Sequence, residues 1–151
     1  MTLGSIAGLA KQTVDQLREL GVPAGVVRIR YMRPFPAEQL ASALSGARAV
    51  GVLEKVVSFG AEGTVFTNVN SALQQAGLVV PTRNFVGGLG GDDISPQQMV
   101  GVFAALEQLA EGGYRGPRVA FLGIDELPDA VFHADSAADV AEGAYVLVGE
   151  E

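Results

Sequence analysis

Cysteine and tryptophan are missing from this 151-residue sequence, and histidine occurs once, as His133. Without cysteine no disulfide forms, and this chain's thiolates can hold neither an iron–sulfur cluster nor zinc. With one histidine and no recognisable motif around it, Ser58 has no evident base to make it a nucleophile. No apolar run reaches 18 residues, the length at which a membrane-spanning helix becomes a candidate. The first residues lack the charged, apolar and small-residue parts of a signal peptide, so the plain expectation is a cytoplasmic protein. Basic residues are absent from Val119 onward, where Asp125, Glu126, Asp129, Asp135, Asp139, Glu142, Glu150 and Glu151 carry most of the net charge of −7. Such a tail argues against nucleic acid or an anionic membrane as partner. Its simplest role is a solvated surface.

What is present in quantity is glycine, and its densest cluster orders the rest. Arg83–Val86 reads as a strand, and Gly87-Gly88-Leu89-Gly90-Gly91 puts four glycines into five residues after it. Ser95 then has the position of an N-cap, with Pro96 at the first helical residue and Gln98 placed to close a capping box. Met99, Val102, Phe103 and Leu106 follow at helical spacing. The cluster lacks the Gly-x-Gly-x-x-Gly and Gly-Lys-Ser/Thr patterns, and Asp92 and Asp93 would repel phosphate. Close backbone approach explains the glycines better than a nucleotide does.

Two earlier stretches have the same strand–loop–helix layout. Val26–Met32 alternates Val27, Ile29 and Tyr31 with Arg28 and Arg30, which places this strand at an edge of a sheet rather than inside it. Pro34 and Pro36 stop ladder pairing and stiffen the exit loop. A helix from Ala37 to Leu44 follows, with Leu40, Ala41 and Leu44 inward. Val50–Leu53 is short and uncharged, a central strand, and leads through Val56–Gly63 to a helix that buries Val65, Phe66, Val69 and Leu73. Glu54 stands where functional groups gather in open α/β sheets. With no neighbour evident to tune it, an ion pair with Lys55 or an arginine is the expected role. Ahead of these units, Thr2-Leu3-Gly4 resembles the end of a strand turning into a helix lined by Ile6, Leu9, Ala10, Leu17 and Leu20 and stopped by Gly21. Such a start points to a piece of a longer polypeptide, a short native chain with a stubby first strand being the alternative.

Leu3-Gly4-Ser5-Ile6-Ala7-Gly8, Arg33-Pro34-Phe35-Pro36, Leu53-Glu54-Lys55 with Ser58-Phe59-Gly60, and Gly87-Gly88-Leu89-Gly90-Gly91-Asp92-Asp93-Ile94 occur in that order. This succession resembles the alpha subunit of pyruvate and other 2-oxoacid:ferredoxin (flavodoxin) oxidoreductases, in its C-terminal domain of transketolase C-terminal type. The resemblance runs from about Thr2 to Leu106, with Asp92-Asp93 where the family usually has Arg-Asp. It implies a three-layer αβα domain with a mostly parallel sheet, expected over residues 1–112; the acidic residues 113–151 lie outside the resemblance and are expected to pack on it as an extension. It places the Thr2 strand inside, between those of Val27 and Val52, with right-handed crossovers putting helices on both faces.

The resemblance also implies a complex that uses thiamine diphosphate, Mg, iron–sulfur clusters and coenzyme A to convert a 2-oxoacid to an acyl-CoA. No cofactor is expected on this part. Its partners would be a pyrimidine-binding domain of the same polypeptide, other oxidoreductase subunits and, through them, ferredoxin or flavodoxin. The equivalent domain of a transketolase or 2-oxoacid dehydrogenase, and a free-standing small-anion module, are the alternatives. Neither a catalytic nor a metal site is expected. Arg33, Pro34 and Phe35, then Ser58, Phe59 and Gly60, then Gly87, Gly88 and Asp92 should gather at one edge as a docking surface. Two tail strands are expected at Val119–Leu122 and Ala144–Val148, with a short helix from Ser136 to Ala141 between them, the tail covering an edge of the sheet.

Overall fold

The computed structural model describes residues 4–58, 61–123 and 145–150. Its elements are α1 (Gly4–Glu19), β1 (Ala24–Ile29), α2 (Ala37–Leu44), β2 (Ala49–Glu54), α3 (Thr64–Gln75), β3 (Thr82–Val86), a 3-10 turn (Leu89–Gly91), α4 (Pro96–Ala110), β4 (Val119–Phe121) and β5 (Tyr145–Glu150). The strands form one five-stranded sheet in the order β1-β5-β2-β3-β4, and every neighbouring pair is parallel. The α/β class with helices on both faces of a parallel sheet is therefore as expected.

The pleat of β2 explains the two-sided core. Val50 and Val52 join residues of α2 and α3 on one face, while Ala49 and Leu53 join α1 and α4 on the other. All six residues of β2 are buried, as befits a central strand with a continuous apolar run. At Gly51 the α4 layer comes closest: a Cβ there would lie 3.1 Å from side-chain carbons of both Leu106 and Phe85. Helices α1 and α3 end in the same way, with left-handed Gly21 and Gly77 and backbone bonds from Val22 to the Leu17 carbonyl and from Leu78 to the Leu73 carbonyl. This pairing satisfies carbonyls that the helix itself leaves free. Helix α4 begins as its sequence dictates. Ser95 Oγ accepts from the Gln98 amide, and the Gln98 side chain accepts from the Ser95 amide.

The basic strand β1 stands at the edge, so Arg28 and Arg30 are exposed as the alternation requires. It is shorter than expected, since Tyr31 and Met32 lie beyond its end and Tyr31 is well exposed. Leu20 does not line the core with the rest of α1. It lies past the last helical turn and is solvent-exposed.

Three expectations need larger correction. The interior place between β1 and β2, assigned to the Thr2 strand, is held by β5, and Met1–Leu3 lie outside the described residues. The tail covers an edge only through β4, because β5 enters the middle of the sheet. The residues expected as a helix from Ser136 to Ala141 lie outside the described residues. Nor can every crossover be right-handed. The β2–α3–β3 and β3–α4–β4 connections step the same way across the sheet, yet α3 and α4 pack on opposite faces. Two such connections have opposite hands, although one hand dominates in parallel sheets. The exception falls on β4, a three-residue strand added at the edge after α4 has packed back over β2.

A candidate interface at the loop edge

The C-terminal ends of β2 and β3 are one place, built around a buried carboxylate. Glu54, the last residue of β2, is 1% exposed. Its Oε2 accepts from the Val65 amide at 3.0 Å, and its Oε1 accepts from the Phe66 amide at 3.3 Å and from Asn84 Nδ2 at 2.8 Å. Helix α3 has glycine, Gly63, at its N-cap and so no cap of its own. The orphan amides of its first turn and the positive end of its dipole are met instead by Glu54. Asn84, in β3, closes the arrangement by accepting from the Gly63 amide at 2.8 Å and donating to the Val52 carbonyl. A Cβ on residue 63 would overlap the Glu54 carboxyl group, so that position has room only for glycine. The expected pairing of Glu54 with Lys55 or an arginine is thus replaced by a helix cap. A charged group in this interior finds backbone and amide donors at hand, while Lys55 points elsewhere.

Lys55 runs to the glycine cluster. A Cβ on Gly88, which has φ +71°, would sit 2.7 Å from Lys55 Cε. Gly87 is also closely packed, with a Cβ there 2.9 Å from Ile94 and 3.2 Å from Leu122. Its amide donates to the Glu54 carbonyl, so the second and third loops are neighbours as expected. Asp92 and Asp93 are exposed at the end of this loop, and the Asp92 amide closes the turn onto the Leu89 carbonyl. Ser58 is half-buried in a small turn closed by the Ala61 amide, while Phe59 and Gly60 lie outside the described residues. His133 lies outside them too.

The first loop is set apart by the breadth of β5. Arg33 and Pro34 are exposed and joined by a cis peptide bond. Arg33 donates to the Met32 carbonyl and reaches Asn68 of α3 at 3.5 Å, not the glycine loop. Phe35 is half-buried against the α2–α3 core, so its ring serves the domain's own packing.

Beside the second loop lies a feature the sequence did not announce. A cleft of about 350 Å³ is lined by Val56, Val57, Ser58 and Phe121, with an Arg118–Glu62 ion pair at its side. Val56 and Val57 are 37% and 41% exposed, adjacent apolar side chains at the mouth of a loop. The signal was present in the two consecutive valines after Lys55. The other wall, from β4, could not be read from local pattern. Among the described residues no three His, Cys, Asp or Glu side chains converge to hold a metal ion, and no helix is long and apolar enough to cross a membrane. At the start of β3, Arg83 lies over the Tyr114 ring, 4.7 Å from its centroid. Burial pushes the Tyr114 phenol above its usual range, and the arginine pulls it partly back.

A parallel sheet layered by helices on both faces, with short loops and buried polar anchors at one edge, defines an α/β domain. Residues 1–99 match the family model described as pyruvate:ferredoxin oxidoreductase core domain II, and the chain belongs to that family. Within that family it corresponds to domain II of the alpha subunits of 2-oxoacid:ferredoxin oxidoreductases. The chain is 38% identical over 126 residues to pyruvate synthase subunit PorA of Thermotoga maritima, covering 83% of this chain and 31% of that protein. Similarity is comparable to ketoisovalerate oxidoreductase subunit VorA of Pyrococcus horikoshii, at 33% identity over 75% of this chain and 29% of the relative. The alpha subunit of NADH-dependent phenylglyoxylate dehydrogenase of Aromatoleum evansii is 36% identical over 74% of this chain and 27% of the relative. The chain thus spans roughly a third of the length of these relatives.

Proposed function

We propose that this domain docks other parts of a thiamine-diphosphate-dependent 2-oxoacid:ferredoxin oxidoreductase through its loop edge and takes no direct part in the chemistry. The observation that carries this reading is the pairing of an apolar cleft, flanked by exposed Val56 and Val57, with a neighbouring carboxylate wholly used as a helix cap. A group already bonded by three donors is poorly placed to exchange protons with a substrate. Apolar side chains at a cleft mouth suit a contact with another domain or subunit. In this reading Arg33, Pro34, Ser58, Phe59, Gly60, Gly88 and Asp92 rim the contact, and Gly87 and Phe35 support it from within. Residues 1–112 form the body of the domain in this reading, and 113–151 are an extension that adds β4 and β5 to its sheet.

The complex would oxidatively decarboxylate pyruvate or a related 2-oxoacid to an acyl-CoA, with electrons leaving through iron–sulfur clusters to ferredoxin or flavodoxin. Those clusters would be held outside these 151 residues, which offer no thiolate. The residues at this edge do not suit a diphosphate either, because Asp92 and Asp93 follow the glycine cluster. Three relatives whose names carry different acids are nearly equally similar to this chain, which fits a domain that does not choose the substrate.

The test compares assembly with turnover in the complete complex. Val57→Asp and Phe59→Ala should weaken association with the other subunits by about thirtyfold or more, the factor for a central contact worth about 2 kcal/mol. Turnover per assembled complex should hold. Loss of turnover at unchanged association would move this edge into the active site. Titration calorimetry of this chain with magnesium and thiamine diphosphate should show no micromolar site, and finding one would refute the division of labour.

A further inference from the structure

The two outer edges of the sheet are built differently. Strand β4 is three residues long, whereas β1 runs for six and has a neighbour, β5, on one side alone. A long edge strand presents amides and carbonyls with which another strand can pair. Ala24 shows which of these groups face out. Its amide donates to the Val22 carbonyl at 2.8 Å, and its carbonyl accepts from Arg18 Nε at 2.6 Å. Neither group therefore belongs to the β5 ladder. Two residues on, alternation turns the Val26 amide and carbonyl outward as well, where no strand among the described residues meets them. Arg18 closes this edge at its start, and Pro34 limits it at the far end.

The side chains along the edge sort by face. Val26 packs toward the α1 and α4 layer, while Val27 and Ile29 pack toward the α2 and α3 layer. The period of two puts Arg28 on the Val26 face, and Arg30 and Tyr31 follow at the end of the strand, all three exposed. From Val22 to Ala37 the chain has three arginines and no acidic residue, in a protein whose net charge is −7. This edge is a basic strip on an acidic molecule.

We propose that the outer edge of β1 is a site of strand addition, and that its occupant is an acidic strand from outside these 151 residues. That strand pairs with the Val26 amide and carbonyl. It alternates acidic side chains, set beside Arg28 and Arg30, with apolar ones set beside Val27. Opposite charges on one face of neighbouring strands stabilise the pair, and like charges oppose it. The arginines therefore reject a basic strand. They also reject a second copy of β1, which carries no acidic residue to answer them. The overall negative charge disfavours nucleic acid. Exposed Tyr31 adds the kind of aromatic side chain that protein contacts favour. The site lies along the side of the sheet, apart from the cleft at the loop edge, and stands or falls without it.

The probe is a fluorescein-labelled peptide, Val-Glu three times over, titrated into the full chain. Saturable binding is expected, and a Val-Lys peptide of the same length should not bind. Affinity should fall about tenfold or more in Arg30→Glu, and fall with rising salt, while circular dichroism shows the fold intact. Strand pairing is separated from charge by N-methylating alternate residues of the Val-Glu peptide. Every carboxylate is kept, and only the methylation phase that faces β1 should weaken binding, again by about tenfold or more. Equal affinity of both methylated phases and the parent peptide would overturn the proposal, as would an unchanged affinity in Arg30→Glu or a failure to saturate. Binding that appears only after residues 124–144 are replaced by glycine and serine would also overturn it, because the chain's own acidic segment would then hold the edge. So would a dimer of the full chain that the peptide dissociates, because the edge would then belong to a second copy.

Discussion

Two strand-to-helix junctions lie side by side at the loop edge and are stabilised in opposite ways. Between β3 and α4 the cap is local: Ser95 and Gln98, three residues apart, satisfy each other's amides, and the glycine turn before them closes on itself. Between β2 and α3 the cap is remote. It comes from Glu54 at the end of the preceding strand, is steadied by Asn84 on the next strand, and needs glycine at position 63 to make room. A local cap stabilises one helix. A remote one ties a helix to two strands, so it forms only when the sheet does and is lost with it.

The largest effect should come from Gly63→Ala. The new methyl would overlap a carboxylate that three donors hold in place, and a loss of about 3 kcal/mol or more is expected, read from urea unfolding midpoints at constant slope. Glu54→Ala should cost about 3 kcal/mol, because the Val65 and Phe66 amides and the Asn84 side chain lose a buried partner. Combining the two is the sharper measurement. Alanine at 63 fits where the carboxylate has gone, so the double variant should be less destabilised than the sum by about 2 kcal/mol. Strict additivity would mean that the crowding at Gly63 has another source. Next comes Ser95→Ala, at about 1 kcal/mol, additive with Glu54→Ala because the two caps share no partner. A strong coupling between them would erase the contrast between local and remote.

The smallest effect lies away from both junctions and serves as a control. Burial raises the Tyr114 phenol above its ordinary 10.0, with Arg83 acting against this. The fold therefore favours the neutral phenol, and the unfolded chain loses its proton first as pH rises. This stabilisation is complete below pH 10.0 and disappears as pH climbs through the folded value. Tyr114→Phe should flatten the fall of stability above pH 10 without altering either cap. An unchanged alkaline slope in the variant would assign that slope to other groups.

The same division between local and remote explains what could be read from the residues in order. Ser95, Pro96 and Gln98 announce the start of α4, Gly21 announces the end of α1, and the alternation of Val27, Arg28, Ile29 and Arg30 places β1 at an edge. Each signal is carried within a few residues. Of the three loops expected at one edge, the contact of Lys55 with Gly88 joins the second to the third, while the first stands apart. The roles inside the candidate interface were not legible. Nothing near Glu54 says that its partners are the Val65 and Phe66 amides, because the turn from Lys55 to Gly63 decides which groups meet. The strand character of Tyr145–Val148 was visible, but its place was not, since sheet order depends on which edge is open when the strand arrives. Phe35 shows a different limit: an aromatic ring in a proline-stiffened loop looks like an anchor for a partner, and its own core takes it.

The position of β5 also bears on how the chain is made. During synthesis β1 and β2 leave the ribosome well before residue 145 has been added, and at about 5–20 residues per second the wait is roughly 5–20 s. Over that interval the facing edges of β1 and β2 lack the neighbour that β5 becomes. The sheet can close only through its most distant pairing in sequence, which makes for slow folding. Nascent chains of this protein should therefore depend on chaperones until the last strand arrives, and late truncations should be more prone to aggregate than early ones that never build the open pair.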